Sequence, residues 1–365
     1  MQLLLEHYGK ARGVACDPFM GSGTTLFEAL DFEMAAIGAE VNFAAFVLSS
    51  LASFAGLDSS ARDDCLLRAA AALRQTVPHW SFGLFSEGQD LPSRVGDMLA
   101  HAPDSLTRTV LSAAILLGMG NGPELQPIKL HKAFDGICEV IRRLPHSGLT
   151  VKTYLSDARS IPEPDSCIDL IVTSPPYINV FNYHQNYRPA VELLGCDVLD
   201  AARSEIGSNR KHRGNRFLTV VQYCLDMGLV CVEASRLLKP DGILIVTIGR
   251  ESSVLGTAFS NTKLLGTLAL LTGTFAPVRR HERKFVTRFG ERIFEDVLVF
   301  VRSEGAAVSE LEAFRDLGVR TLRDAEEMVP NRAEDYLLSA IADASVVAPS
   351  PIYARPSTLS PPPAR

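Results

Sequence analysis

A chain of 365 residues is long enough for one large domain with a sizeable insertion, or for two domains. Hydrophobic residues make up 47% and charged residues 21%, the proportions of an ordinary globular protein, and no apolar run reaches the roughly 18 residues of a membrane span. A net charge of −6 excludes a uniformly basic nucleic-acid binder, although local basic faces remain available because screening confines a field to about 10 Å.

The first residues, MQLLLEHYGKARG, are too few and too charged for a secretory signal, so a cytoplasmic protein with no membrane partner is expected. Residues 14–16 form a short apolar run that ends in DPFMGSGTT, and a helical pattern follows through Leu26, Phe27, Ala29 and Leu30. Residues 35–38 read as a second short strand closed by Glu40, followed by a helix over about 42–54. This is βαβ grammar, which predicts a parallel sheet covered by helices. From 55 to 146 the strand signal lapses. Runs such as 65–74 and 106–118 are helical, separated by turn clusters, and predict a mostly helical insertion.

Strands resume at 150–155, which ends in Ser156-Asp157-Ala158, and at 168–172, which runs into TSPPY. A long helix stops at Lys239-Pro240-Asp241-Gly242 and leads into a strand over 242–248. Two last strands, near 275–280 and 294–301, predict an antiparallel hairpin. Residues 304–345 read as a polar helical extension and 346–365, rich in Pro, Ser and Ala, as a tail without fixed structure. The expected architecture is α/β: a Rossmann-like, mostly parallel sheet with an antiparallel C-terminal hairpin. Its two parts, 1–54 and 147–303, are divided by the helical insertion 55–146.

Two loops at strand ends carry chemistry. In the first, Gly21 and Gly23 allow a tight turn and close approach of backbone to a ligand. Thr24 and Thr25 are placed to cap the following helix, whose N-terminus favours an anionic group. The loop lacks the Lys of a phosphate-binding G-x-x-x-x-G-K-[ST], and Leu26 stands where a dinucleotide fingerprint needs its third Gly. Glu40, at the end of the second strand, is placed to accept both hydroxyls of a ribose.

In the second loop, Pro175 and Pro176 remove two N–H donors and leave carbonyls and the Ser174 hydroxyl. Such a loop suits a substrate that donates protons, an exocyclic amine above all. Hydrogen bonds from its protons to Ser174 and to the Pro175 carbonyl favour an sp3 nitrogen with its lone pair aimed at an electrophile. Tyr177 offers a ring for stacking an extruded base.

The two stretches resemble motifs I and IV of the S-adenosylmethionine-dependent amino-methyltransferases of DNA, whose forms are DPF-x-GSGTT and [SDN]-P-P-[YFW]. The resemblance spans about 3–40 and 150–301. It implies S-adenosylmethionine as cofactor and DNA as partner, with a cognate restriction endonuclease as a candidate second partner. It places Asp17 and the backbone of Gly21, Ser22 and Gly23 at the methionine part, Glu40 at the ribose, and Asp157 and Ala158 at the adenine, with Phe19, Thr24 and Thr25 as further cofactor-binding residues. Ser174, Pro175, Pro176 and Tyr177 become the catalytic loop.

Ser in first place is typical of cytosine-N4 enzymes, although some adenine-N6 enzymes carry it. A carbon-5 cytosine enzyme is disfavoured because no Cys follows Pro. An RNA amino-methyltransferase and a degenerate nucleic-acid-binding relative are the alternatives. The order of the two loops differs from that of the relatives with the same cofactor loop and matches an unpermuted methyltransferase with an insertion after the second strand. About thirteen residues precede the first strand, where the family has a segment enclosing the methionine end. Three readings follow: a shortened start, closure by another part of the chain, or impaired activity.

For DNA contact, Asn182, Tyr183 and Arg188 are candidates for the base pocket. The run 203–216 holds five Lys or Arg, among them Arg210, Lys211, Arg213 and Arg216, against Glu205 alone. It is a candidate phosphate clamp. A second run, 279–292, holds six against Glu282 and Glu291. The seven Cys have neither paired nor metal-like spacing, so free thiols and no metal are expected.

Overall fold

The computed structural model describes residues 1–76, 91–146, 148–178, 185–208, 212–286, 290, 292–308 and 310–354. Its strands are β1 (Val14–Asp17), β2 (Ala35–Glu40), β3 (Val151–Leu155), β4 (Ile168–Thr173), β5 (Leu238–Gly249), β6 (Glu251–Val254), β7 (Thr257–Ser260), β8 (Phe275–Val286) and β9 (Arg292–Arg302). Seven of them form one sheet in the order β3-β2-β1-β4-β5-β9-β8, while β6 and β7 pair separately. The first five are parallel; β9 runs antiparallel to β5, and β8 antiparallel to β9. The chain order reverses between β1 and β4, which makes the crevice at their carboxyl ends the place where such a sheet holds a ligand. The fold is Rossmann-like, as its strand order and crossovers show.

The central strands are apolar on both faces because helices cover both. On one face lie α10 (Leu218–Leu237), α11 (Asn261–Leu271), α12 (Leu311–Arg323) and α13 (Glu334–Asp343), whose buried residues join those of β4 and β5 in one core. On the other, α1 (Gln2–Tyr8) and α2 (Thr24–Asp31) enclose a smaller core with Ala15, Leu170 and Ile245. By length and composition α10 would cross a membrane, but it lies within the protein with 83% of its apolar window buried.

Between β2 and β3 come α3 (Phe43–Ser49), α4 (Ser59–Thr76), α5 (Leu91–Ala100), α6 (Ser105–Met119) and α7 (Pro127–Arg143). They build a core of their own, into which Ala190, Val191 and Leu194 of the α8 segment (α8, Arg188–Leu193) and Val198 of α9 (Val198–Ser204) also pack. Buried Arg62 closes this unit. Its guanidinium donates to the carbonyls of Phe54 (2.8 Å) and Pro145 (2.9 Å), so the two ends of the insertion meet at one side chain.

Two expectations are corrected, and one strand pair was not anticipated. The closing strands are longer than 275–280 and 294–301, because β8 carries no covering layer and so lacks the apolar alternation that marks a strand. The short pair β6–β7 had no signal of its own. Residues 346–354 of the presumed structureless tail are held in place: Arg315 donates to the carbonyl of Val347 (2.5 Å), Gln222 to that of Ala348 (3.1 Å), and Arg159 to that of Ser350 (2.8 Å).

Candidate active site

The carboxyl ends of β1, β2, β3 and β4 open into one cavity of about 470 Å³. Its wall takes Pro18, Phe19, Gly21 and Ser22 from the first loop, Glu40 from β2, Ser156 to Ala158 after β3, and Ser174 to Tyr177 after β4. The two motif loops, more than a hundred residues apart in sequence, therefore face one space, whose volume falls in the range of small-molecule sites.

The first loop is fixed from within. Asp17 is 5% exposed, and its carboxylate accepts from the Thr173 hydroxyl (2.6 Å), the Thr25 hydroxyl (2.6 Å) and the Phe19 N–H (3.0 Å). Burial pushes the Asp17 carboxyl up, against the lowering effect of these hydrogen bonds. Asp17, Gly23, Thr24 and Thr25 do not line the cavity. Asp17 thus ties the cofactor loop to the base of the catalytic loop, where direct contact with the methionine part had been expected. Capping by Thr24 and Thr25 is also corrected. The N-cap of α2 is Gly23, at φ 92°, with no side-chain cap, and the Thr25 hydroxyl goes to Asp17.

Gly21 has φ 50°, and a Cβ there would meet nothing within 4 Å, so its bare backbone faces open space. Its N–H donates to one Glu40 oxygen (3.1 Å) and the Asn42 N–H to the other (2.8 Å). A carboxylate has about four lone-pair sites, so each oxygen retains capacity for a hydroxyl donor. Burial raises the Glu40 carboxyl to about 7, despite these backbone donors.

Asp157 has no such capacity. One oxygen accepts from the Arg159 N–H (3.0 Å) and Nε (2.8 Å), the other from Arg159 Nη2 (2.7 Å) and the Tyr353 N–H (3.0 Å). Arg159 also donates to Asp226 (2.6 Å) and is 1% exposed along its side chain. Burial would lower its pKa; the hydrogen bonds and charges of Asp157 and Asp226 outweigh this and raise it. The Asp157 carboxylate is therefore an anchor with no free lone pair to offer a ligand, while Asp157 and Ala158 both stay on the wall of the cavity.

In the catalytic loop Ser174 is exposed and Pro175 buried. The hydroxyl of fully buried Tyr223 donates to the Pro176 carbonyl (3.1 Å). The Tyr177 ring lies against Gly249, where a Cβ would come within 2.8 Å of Cε2. Gly207, at φ 75°, leaves room for the Tyr177 carbonyl, which a Cβ would strike. The loop is held by three groups none of which the sequence singled out.

Asn186, Tyr187 and Ile206 also line the cavity. Tyr187 has φ 59°, and its N–H donates to Asn121 (2.7 Å), which ties the cavity rim to the helical insertion. The aromatic-polar stretch around 179–192 was the available signal, but it pointed to Asn182 and Tyr183, which lie outside the described residues. Arg188 pairs with Glu192 (2.8 Å) on the outer side of α8. Of the basic run, Arg210 and Lys211 lie outside the described residues, and Arg213 and Arg216 are exposed before α10. Among the described residues no group of three or more His, Cys, Asp or Glu is arranged to hold a metal, and all seven Cys are free thiols.

No protein-family model and no curated protein matches this chain. Solved structures resemble it at low identity. A SAM-dependent methyltransferase from Methanosarcina mazei is 13% identical with a TM-score of 0.38, over 83% of this chain and 98% of that one. A TehB-like SAM-dependent methyltransferase from Corynebacterium glutamicum is 10% identical with a TM-score of 0.33, over 83% and 86%. The 1,6-didemethyltoxoflavin-N1-methyltransferase of Burkholderia thailandensis, solved with S-adenosylhomocysteine, is 10% identical with a TM-score of 0.32, over 83% and 76%. At such TM-scores the likeness does not by itself bear on what this chain binds or does.

Proposed function

We propose that this chain transfers the methyl group of S-adenosylmethionine to the exocyclic amino group of a DNA base, cytosine N4 in the first place. The observation that carries the reading is the meeting of the DPFMGSGTT loop, Glu40 and the Ser174–Tyr177 loop around one cavity. Its residues fit the cofactor. Glu40 offers two oxygens for ribose hydroxyls, Gly21 gives open backbone, and Phe19, Val41 and Leu48 supply apolar wall.

When bound, S-adenosylmethionine supplies an electrophilic methyl group on a sulfonium. The chain's own residues do the rest. Ser174 and the Pro175 carbonyl accept hydrogen bonds from the target amine and turn its lone pair toward the methyl. Tyr177, wedged at Gly249, stacks the base and holds it in line. Tyr223 and the Asp17–Thr173 bond keep the loop from shifting as charge moves. The amine proton leaves to solvent through exposed Ser174. DNA is the proposed partner, with the 203–216 run as one candidate contact.

Expression in a host lacking DNA methylation, followed by sequencing that reports modified bases, tests the reading. Wild type should mark one base at one sequence, and Ser174→Ala or Tyr177→Ala should erase the mark. Identical patterns from wild type and variants would overturn it.

A further inference from the structure

The β8–β9 ribbon outlasts the sheet that carries it. Gly249, the last residue of β5, lies opposite Glu295, whereas β9 begins at Arg292 and stays paired with β8 out to Val286. Three residues at about 3.4 Å each carry the tip about 10 Å past the carboxyl end of β5. The cavity opens at this same end of the sheet, and Gly249 is the residue against which Tyr177 packs. The ribbon therefore rises beside the catalytic loop.

Its base is built rigidly. Asp296 is fully buried and accepts from Thr262 (2.6 Å), Arg250 (3.1 Å) and Arg280 (3.0 Å). Arg283 pairs with Glu295 (3.3 Å). Beyond that level the described charged residues, Lys284 and Arg292, are both cations and make no ion pair with the described residues. Lys284 lies opposite Phe294 and Arg292 opposite Val286, on one face of the ribbon. Phe285, Val286 and Phe294 are 38%, 63% and 44% exposed. The Arg283 guanidinium lies 5.0 Å from the Phe285 ring centre.

Cations on an edge strand are commonly explained as protection against pairing with another chain. That explains a charged β8. It does not explain rings and a valine left in solvent at the tip, which protection would remove. Cations alternating with exposed rings on a protruding two-stranded ribbon match a polyanion that also offers flat apolar faces. Phosphates meet Lys284 and Arg292, bases or sugars meet Phe294 and Val286 on the same face, and the ribbon has the width of a major groove.

We infer that the β8–β9 tip docks on the DNA beside the base being methylated, with Lys284 and Arg292 on phosphates and Phe294 and Val286, on the same face, in the groove; this rests on the amino-methyltransferase reading. It adds a contact separate from the 203–216 run.

The test uses the full chain and a fluorescent 30-base-pair duplex, with anisotropy read over a series of salt concentrations. Lys284→Ala with Arg292→Ala should weaken binding at least tenfold near 0.1 M salt. It should also lower the log–log salt slope by about 2, close to 0.9 per phosphate contact. Phe294→Ala should weaken binding with the slope unchanged. Cofactor affinity, by calorimetry, should match wild type in both and shows that the fold is kept. If wild type methylates DNA and both variants bind with wild-type affinity and slope, the inference falls and the enzymatic reading stands. If binding depends on the tip but wild type transfers no methyl group, the enzymatic reading falls and the docking surface stands. If the Phe variant instead changes the protein's mass in solution and leaves DNA binding alone, the tip is a self-association surface and the inference falls.

Discussion

The backbone N–H of Tyr353 donates to the carboxylate of Asp157 at 3.0 Å, across 196 residues of chain. With Arg159 and Asp226 it forms a buried cluster that pins residues 350–353 to the wall of the cavity. Removing the cation would leave two buried carboxylates facing each other. Arg159→Met should therefore destabilise the protein by about 3–5 kcal/mol, read as a lower midpoint in urea. Deleting residues 348–365 removes the Ser350 and Tyr353 donors instead. It should cost about 1–3 kcal/mol per carboxylate left short of a partner and weaken cofactor binding through the Ser156–Ala158 wall.

Glu40 makes cofactor binding pH-dependent. Its carboxyl is raised by burial to about 7 in the free protein, and only the ionised form accepts two hydroxyls. Affinity for S-adenosylmethionine should be flat above about 7 and fall by up to about tenfold per unit below it. Stability moves the other way. A folded pKa above the ordinary 4.5 means the folded state holds its proton longer, so this group destabilises the fold as pH rises from 4.5 to about 7. Calorimetric titrations across this range check the first effect, and Glu40→Gln should abolish the pH dependence along with most of the affinity.

Tyr223 holds the catalytic loop without touching its contents. Tyr223→Phe removes the bond to the Pro176 carbonyl and should cost about 1 kcal/mol of stability. The expected kinetic signature is a kcat lower by about tenfold with cofactor affinity unchanged, since a misplaced loop loses orientation before it loses binding.

Gly249→Ala should act on the same loop from the other side. The added Cβ meets the Tyr177 ring at 2.8 Å. A ring displaced by about 1 Å should lower kcat by ten- to a hundredfold. Gly249→Ala and Tyr223→Phe combined should be less than additive, which a double-mutant cycle measures.

Much of the site was legible because its signals are local. The nonapeptide from Asp17 to Thr25 and the TSPPY loop each carry their turn chemistry within a few residues, and Glu40 follows from strand length alone. What lay hidden depends on distant pairings. Nothing near Asp157 announces that Arg159 and Tyr353 saturate it, and nothing in the first loop shows that Asp17 faces Thr173 and not a ligand. The length of β8 was hidden for another reason: eleven of its twelve residues are exposed, so it lacks the alternation that reveals a half-buried strand.

The most direct measurement incubates the purified chain with duplex DNA and methyl-labelled S-adenosylmethionine, digests the DNA to nucleosides and identifies the labelled product by mass spectrometry. The account predicts label on N4-methyldeoxycytidine, lost in Ser174→Ala while calorimetric cofactor binding persists. No labelled nucleoside from wild type, or the same yield from Ser174→Ala, would contradict it.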